Sequence, residues 1–422
     1  MSGRHRWRCL GAALACAALA AHAQEASPPE STFVQLRHHL IVEAKAERNP
    51  ELERGEVERK TELEPLWRLG ATVGRGGPVW GFVETELLHQ IEHQTGDPRE
   101  HRTLLRLNQA YLATDRLLSG SRLRVGRWLQ RDEREWLFDE NFDGLHLEHE
   151  DGRWQAELFG ARVRQWRRDL LDSRSGRRGR PADHLAAIVR HEAGKDWTLG
   201  AYAVRQHHFE GGHGRERLHL YGLRSHGTAS KGWRHWAELG RVGGRAEGRA
   251  VSGHVLDLGA TRVFDRVAWK PRLTLGFAHA SGDYRQSGLQ SNEATYGGIA
   301  KFKIYGETLD ADLANLQIAT VGLGLQPAPG WSLDLVYHHY RQPRIALLDG
   351  AAVEPKGDRL AGHRLGDGLD LVVGWEPSRR FKAEFAAGWF RPSARLRDDD
   401  DLDDARRGGL ATSARVELEW RF

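Results

Sequence analysis

Beyond residue 16 the chain contains no cysteine: Cys9 and Cys16 are its only two. Residues 17–422 therefore offer no disulfide, no zinc–thiolate site and no cysteine nucleophile. Methionine occurs once, as residue 1. After Ala21 no apolar run approaches the roughly 20 residues that a helix needs to cross a bilayer. Charge of one sign is lacking too: 62 Lys and Arg stand against 58 Asp and Glu. So near a balance gives no bulk attraction to nucleic acid, and a nucleic-acid partner is not expected. Proline is sparse, at 14 residues, and no Pro/Ser-rich linker or shift in composition divides the chain.

The first residues read as an export signal. Arg4, Arg6 and Arg8 form a basic start, Leu10–Ala21 is a twelve-residue apolar run, and Ala21–Ala23 supplies a small-x-small cleavage pattern. Cleavage is expected before Gln24, leaving residues 24–422 as a single domain. Loss of the three leader arginines takes the formal net charge from +4 to about +1. Many charges of both signs remain, and their local arrangement carries the information.

What the chain has is alternation with period two. In "ARVELEWRF", Val416, Leu418, Trp420 and Phe422 share one face, while Arg415, Glu417, Glu419 and Arg421 share the other. "WSLDLVYHHY" sets Trp331, Leu333, Leu335 and Tyr337 against Ser332, Asp334 and His338. "RLTLGFAHA" from Arg272 and "RFKAEFAAGWF" from Arg380 repeat the pattern, with aromatic residues often at the ends of the apolar face. Glycine-rich or charged stretches separate these segments, short ones alternating loosely with long ones. A soluble sandwich has no need of charged rows on so many inner strand faces. A transmembrane β-barrel has: its outer face meets lipid, its lumen holds water, and every backbone group pairs around a closed ring. The fold class is therefore all-β, an antiparallel barrel of the bacterial outer membrane. At roughly 20–25 residues per strand and connection, it has about 16–20 strands, an even number, and leaves an aqueous channel. Phe422, closing an amphipathic last segment, is the expected signal for the barrel-assembly machinery.

One segment is unusually charged. "LRVGRWLQRDEREWLFDENFDGL" (Leu123–Leu145) opens as a strand and then turns almost wholly polar. It resembles the early barrel motif of the alginate export porin family, in which such a strand runs into a charged turn bearing an Asp-x-Asn pair. Asp257–Asp283 resembles a mid-chain hairpin of that family. Ser287–Val321 is similar to another block, through "GLQSN", "YGE" and "LANLQ". "DLVYHHY", "GLDLVV", "GWFRP" and the final "WRF" continue the likeness in order. It covers residues 100–422 well and 24–100 weakly.

The resemblance implies an 18-stranded barrel, with periplasmic termini, that passes an anionic polysaccharide through a lumen narrowed by loops and lined mainly by arginine and lysine. It places Arg106, Asp139, Asn141 and Asp169 (following Arg167) on lumenal positions, with Lys301 or Lys303 near a family arginine and Glu417 in place of an aspartate. Arg127 and Arg131 lie in the charged strand itself, and Arg37 and Arg68 are the N-terminal basic positions. The chain departs from the pattern at Glu293 and Glu384, where the family tends to carry arginine. Parity adds one demand: Asp139 and Asn141 fall on the same side as Leu145 and Leu147, so a bend or bulge is expected near Asp143.

Arginine suits a uronate chain because its planar fork binds carboxylate bidentately and keeps its charge. Interspersed acids such as Asp139, Asp169 and Glu417 temper that affinity so that sugar is released. A single lumenal arginine is equally readable as a wall residue paired with a neighbouring acid. The expected partners are an anionic, alginate-like polymer, outer-membrane lipid and lipopolysaccharide, the barrel-assembly machinery, and periplasmic polysaccharide-secretion proteins. No cofactor or metal is expected: the Asp398–Asp404 run lacks the glycine and spaced ligands of a calcium loop, and His207–Gly214 reads as an exposed loop. No pattern places a serine, histidine and acid together, so catalysis is not expected. The alternative is a general or differently selective porin for small charged solutes or oligosaccharides, which Glu293 and Glu384 favour.

Overall fold

The computed structural model describes residues 33–52, 57–166, 168–176, 179–208, 216–246, 248–346, 348, 350–353, 362–393 and 409–422. The expected leader, Arg167 and the Asp398–Asp404 run lie outside them. The chain runs through β1 (Val34–Arg48), β2 (Arg59–Val73), β3 (Trp80–Gln94), β4 (Glu100–Thr114), β5 (Ser121–Arg131), β6 (Asp139–Asp151) and β7 (Trp154–Val163). Next come β8 (Ala182–Gly194), β9 (Trp197–His208), β10 (Glu216–Ser230), β11 (Trp233–Ala246), β12 (Arg249–Val263) and β13 (Arg272–Ala280). A two-residue pair, β14 (Glu293–Ala294) and β15 (Phe302–Lys303), follows. β16 (Gln317–Leu325), β17 (Trp331–Arg341), β18 (Arg364–Ser378), β19 (Phe381–Pro392) and β20 (Ala411–Arg421) complete the order. All but β14 and β15 form one 18-stranded antiparallel sheet, closed where β1 pairs with both β2 and β20.

The alternation expected from sequence sets the polarity of the wall. Leu223, Leu239, Leu258, Leu275 and Leu323 are exposed on the outside, while their strand neighbours Arg224, Glu238, Asp257 and Thr274 are buried on the inside. That is the reverse of a water-soluble domain, and it is the stable arrangement when lipid lies outside. Connections at the end carrying the termini are short, two to eight residues, whereas at the other end they reach 36 residues in 281–316. An aromatic belt rings the terminal end: Trp331 stacks on Trp375 at 5.4 Å, Trp375 meets Phe381, and Phe381 meets Trp420.

Phe422 lies in that belt. Its ring stacks on His38 at 4.7 Å, and its N–H donates to the His38 carbonyl at 3.1 Å, so the last residue helps fasten the seam between β1 and β20. Deleting Phe422 is expected to lower the heat-modifiable, folded fraction in outer membranes several-fold; an unchanged fraction contradicts its role as an assembly signal.

Besides local register shifts, as between Glu84 and Thr85, the wall has a shortened ladder between β4 and β5. β4 pairs with β5 only from Ala110–Arg127 to Thr114–Leu123. Beyond that point β5 parts from β4 but stays paired with β6, Gly126 facing Gly144, and β6 stays paired with β7 as far as Phe142. Gly126 has φ of 129°, and a Cβ there would fall 2.3 Å from the Ala110 carbonyl oxygen, so only glycine fits. Around Asp143 itself β6 keeps its register with both β5 and β7, and the special backbone conformation lies across from it at Gly126. The freed edge of β4 is covered by the 164–181 connection: Leu170 N–H donates to the Leu105 carbonyl at 2.8 Å, and Leu105 N–H donates to Asp169 at 3.0 Å.

Candidate substrate passage

Among the described residues, two connections supply most of the lumenal filling, with Leu52 and Val353 of two others packed into the same cluster. The first, 132–138, hides an apolar triplet, Trp136, Leu137 and Phe138, among its charges. The Asp132 carboxylate accepts the Leu137 and Phe138 N–H groups at 2.9 and 2.7 Å, turning the chain inward. The second, 281–316, buries Tyr284, Tyr296, Phe302, Ile304, Tyr305 and Leu309 although it contains almost no regular structure. The two are joined by hydrogen bonds: the Trp136 indole to the Tyr305 hydroxyl at 2.8 Å, Gln286 to the Trp136 carbonyl at 2.9 Å, and Ser287 to the Leu137 carbonyl.

Buried charges pin this plug to the wall. Asp257 of β12 accepts from Arg134 at 2.6 Å, Tyr305 at 2.8 Å and the Trp236 indole at 2.9 Å. Arg224 of β10 meets Asp132 at 3.0 Å and Glu238 at 3.2 Å. Such charges persist in a dry site only when each is paired and hydrogen-bonded. The longer connection then crosses the lumen. Ile299 N–H donates to Ser332 at 2.8 Å, Lys301 N–H to Glu384 at 2.7 Å, and Thr308 and Ser413 share a hydrogen bond at 3.0 Å.

Filling is one-sided. Inward residues of β8–β18 are largely buried beneath the plug, whereas those of β1–β3 and β20 stay mostly half-exposed. The open side carries two ordered rows of charge, each defined by direct cross-strand pairing. Nearer the termini, Arg421, His39, Arg68, Glu86 and Arg106 follow one another across β20, β1, β2, β3 and β4. Arg68 donates to Glu86 at 2.6 Å within this row. Four residues further along β1, Glu64, Glu43, Glu417 and Glu384 stand side by side across β2, β1, β20 and β19.

The residues expected from sequence divide as follows. Arg68 and Arg106 come together in the basic row, and Arg37 lies exposed on β1 beyond it. Glu417 lies at the centre of the carboxylate row. Lys301 is bound to Glu135 at 2.6 Å, and Lys303 meets Asp310 at 3.2 Å and Glu293 at 3.4 Å. Arg131 bridges Asp139 at 2.7 Å and Glu135 at 3.2 Å. Asn141 donates to Asn108 at 2.9 Å, and Asn108 in turn to Glu84 at 2.6 Å. Arg127 closes the β4–β5 gap, donating to the Leu107 and Asn108 carbonyls and meeting Asp143 at 2.6 Å. Asp169 is buried at the β4 edge.

A lumen lined mainly by arginine and lysine does not describe this wall: carboxylates stand among the bases throughout. Glu293 also faces Arg415 at 3.9 Å, and Lys382 pairs with Glu384 at 2.7 Å. In the plug, burial pushes the Glu307 carboxyl up to about 7 against the pull of Arg415, so its charge turns over near neutrality. Sequence reasoning missed Glu43, Glu64 and Glu86, because only the register shows which residues face one another across strands. It also missed the plug's anchor at Asp257.

A closed barrel with lipid-facing apolar rows and a charged, partly plugged lumen defines an outer-membrane channel of the porin kind. The chain belongs to the alginate export family, whose model matches residues 39–409. It is 24% identical to the "Alginate production protein AlgE" of Pseudomonas syringae pv. tomato, over 72% of each chain. Among solved structures it is similar in fold to OccK5 of Pseudomonas aeruginosa, with a TM-score of 0.57 at 11% identity over 93% of this chain and 99% of that one. OccAB3 of Acinetobacter baumannii gives 0.57 at 13% identity over 92% and 99%. OprD of Pseudomonas aeruginosa gives 0.56 at 12% identity over 92% and 95%.

Proposed function

We propose that this channel passes an anionic polysaccharide of the uronate class, alginate or a close relative, passively across the outer membrane with its termini in the periplasm. The observation that carries this reading is the basic row Arg421, His39, Arg68 and Arg106 on the open wall, with Glu86 set within it and Glu419 paired to Arg421 at 2.6 Å. A polyanion entering a narrow lumen sheds hydration, and fixed guanidinium groups replace it. Glu86 beside Arg68 and Arg106 keeps that attraction weak enough for release, which conduction requires. Family membership and the AlgE relative support the choice of polymer. Periplasmic secretion proteins and the assembly machinery are the partners that this reading calls for.

A specific observation favours a second reading. The row Glu64, Glu43, Glu417 and Glu384 makes part of the same wall cation-attracting, as expected of a porin for small charged solutes or oligosaccharides. Arg106→Glu separates the two. On the polysaccharide reading it lowers the anion-to-cation permeability ratio several-fold in planar bilayers; an unchanged ratio means that the basic row does not set selectivity.

A further inference from the structure

We propose that the outer wall of β9–β12, at the end of the barrel away from the termini, is a binding surface for a phosphorylated acyl glycolipid, the lipid A portion of lipopolysaccharide. Arg205, Arg217, Arg241 and Arg245 are exposed there and share strand parity with outward-facing residues such as Ala203, Tyr221 and Leu239. Arg217 stands directly opposite Arg245, and Arg241 opposite both Tyr221 and His254. Like charges directly opposite on a sheet repel, yet among the described residues no carboxylate pairs with any of the four. Of the other outward arginines, Arg162 is held by Asp183 at 2.6 Å and Arg262 lies over the rings of Trp233 and Phe264, while Arg341 and Arg391 stand opposite Arg364 and Asp367. An anion carrying more than one phosphate bridges facing arginines such as Arg217 and Arg245 best.

A second feature points to the same ligand. Directly below the arginines, a furrow of about 630 Å³ runs between Tyr221, Leu223, Leu239, Arg241 and His254. Its floor is the facing pair Gly222 and Gly240, under which the Tyr202 ring lies. The furrow joins a basic rim to the apolar belt, so that a headgroup phosphate and an acyl chain of one molecule are both accommodated. Basic pockets at membrane level bind phosphorylated headgroups in this way. The assignment to lipopolysaccharide rests on the loop-bearing end facing the cell surface. It is independent of what crosses the lumen.

Native mass spectrometry of the full chain, titrated with bis-phosphorylated lipid A, dephosphorylated lipid A and phosphatidylglycerol, tests the proposal. The bis-phosphorylated form is expected to bind best, and Arg217→Ser/Arg245→Ser to weaken it by about tenfold or more. Arg262→Ser, at the opposite end, leaves it unchanged. Both sites face outward, so heat-modifiable mobility should survive; if the double variant does not fold, Arg241→Ser alone is read in the same way. Equal binding of the dephosphorylated form, equal or better binding of phosphatidylglycerol, or an unaffected double variant would each overturn the assignment.

Discussion

Replacing residues 285–312 with a short glycine–serine linker is expected to raise single-channel conductance several-fold while the barrel still assembles. The wall's hydrogen bonds run strand to strand and close through β1 and β20, so the ring does not depend on the plug. An 18-stranded ring without a plug encloses an aqueous channel. Asp257, Glu238 and His338, now buried beneath the connection, would face water, which satisfies them as well as the plug does. The 132–138 segment loses its partners Tyr305, Gln286 and Ser287 but keeps its wall pairs Arg134–Asp257 and Asp132–Arg224. Unchanged conductance would mean that the connection does not limit the passage. Loss of the folded barrel would mean that it serves as a core on which the ring forms.

The second large effect is expected from Glu43→Gln/Glu417→Gln, which should shift ionic preference toward anions. The two carboxylates are directly paired, and each is flanked by another, Glu64 on one side and Glu384 on the other. A unit charge about 5 Å from a passing ion in water is worth roughly 0.8 kcal/mol. Before screening by salt, removing two therefore lowers the occupancy of a cation and raises that of an anion by roughly tenfold each. Removal also relieves like-charge repulsion across the sheet, so thermal stability is expected to hold or rise. A permeability ratio that stays put would place the selective constriction elsewhere.

The sequence made the barrel legible because lipid outside and water inside impose a period of two on every spanning segment, and the chain obeys it from Val34 to Arg421. The parity conflict between Asn141 and Leu145 demanded a bend near Asp143, but the special backbone conformation lies across from it at Gly126. The plug was harder to read. Its residues from Tyr284 to Leu316 are apolar enough to fill a core but follow no strand period, and only Trp136–Phe138, an apolar triplet inside a charged turn, hinted that the early connection turns inward. The charged stretch read as handling solute turned out to spend Asp132 and Arg134 on anchoring the plug. The two charge rows were beyond sequence reading altogether. Glu64, Glu43, Glu417 and Glu384 lie far apart along the chain and become neighbours only through closure of β1 on β20 and the register of each pair.

The central claim, that a charged passage beside the plug admits a uronate polymer, is tested most directly by reversal potential in a salt gradient, with and without oligomannuronate on one side. The account predicts an anion preference and a concentration-dependent block by the uronate that a neutral oligosaccharide of equal length does not produce. A cation-selective channel, or one that the uronate leaves unblocked, would contradict it and give the carboxylate row the deciding role.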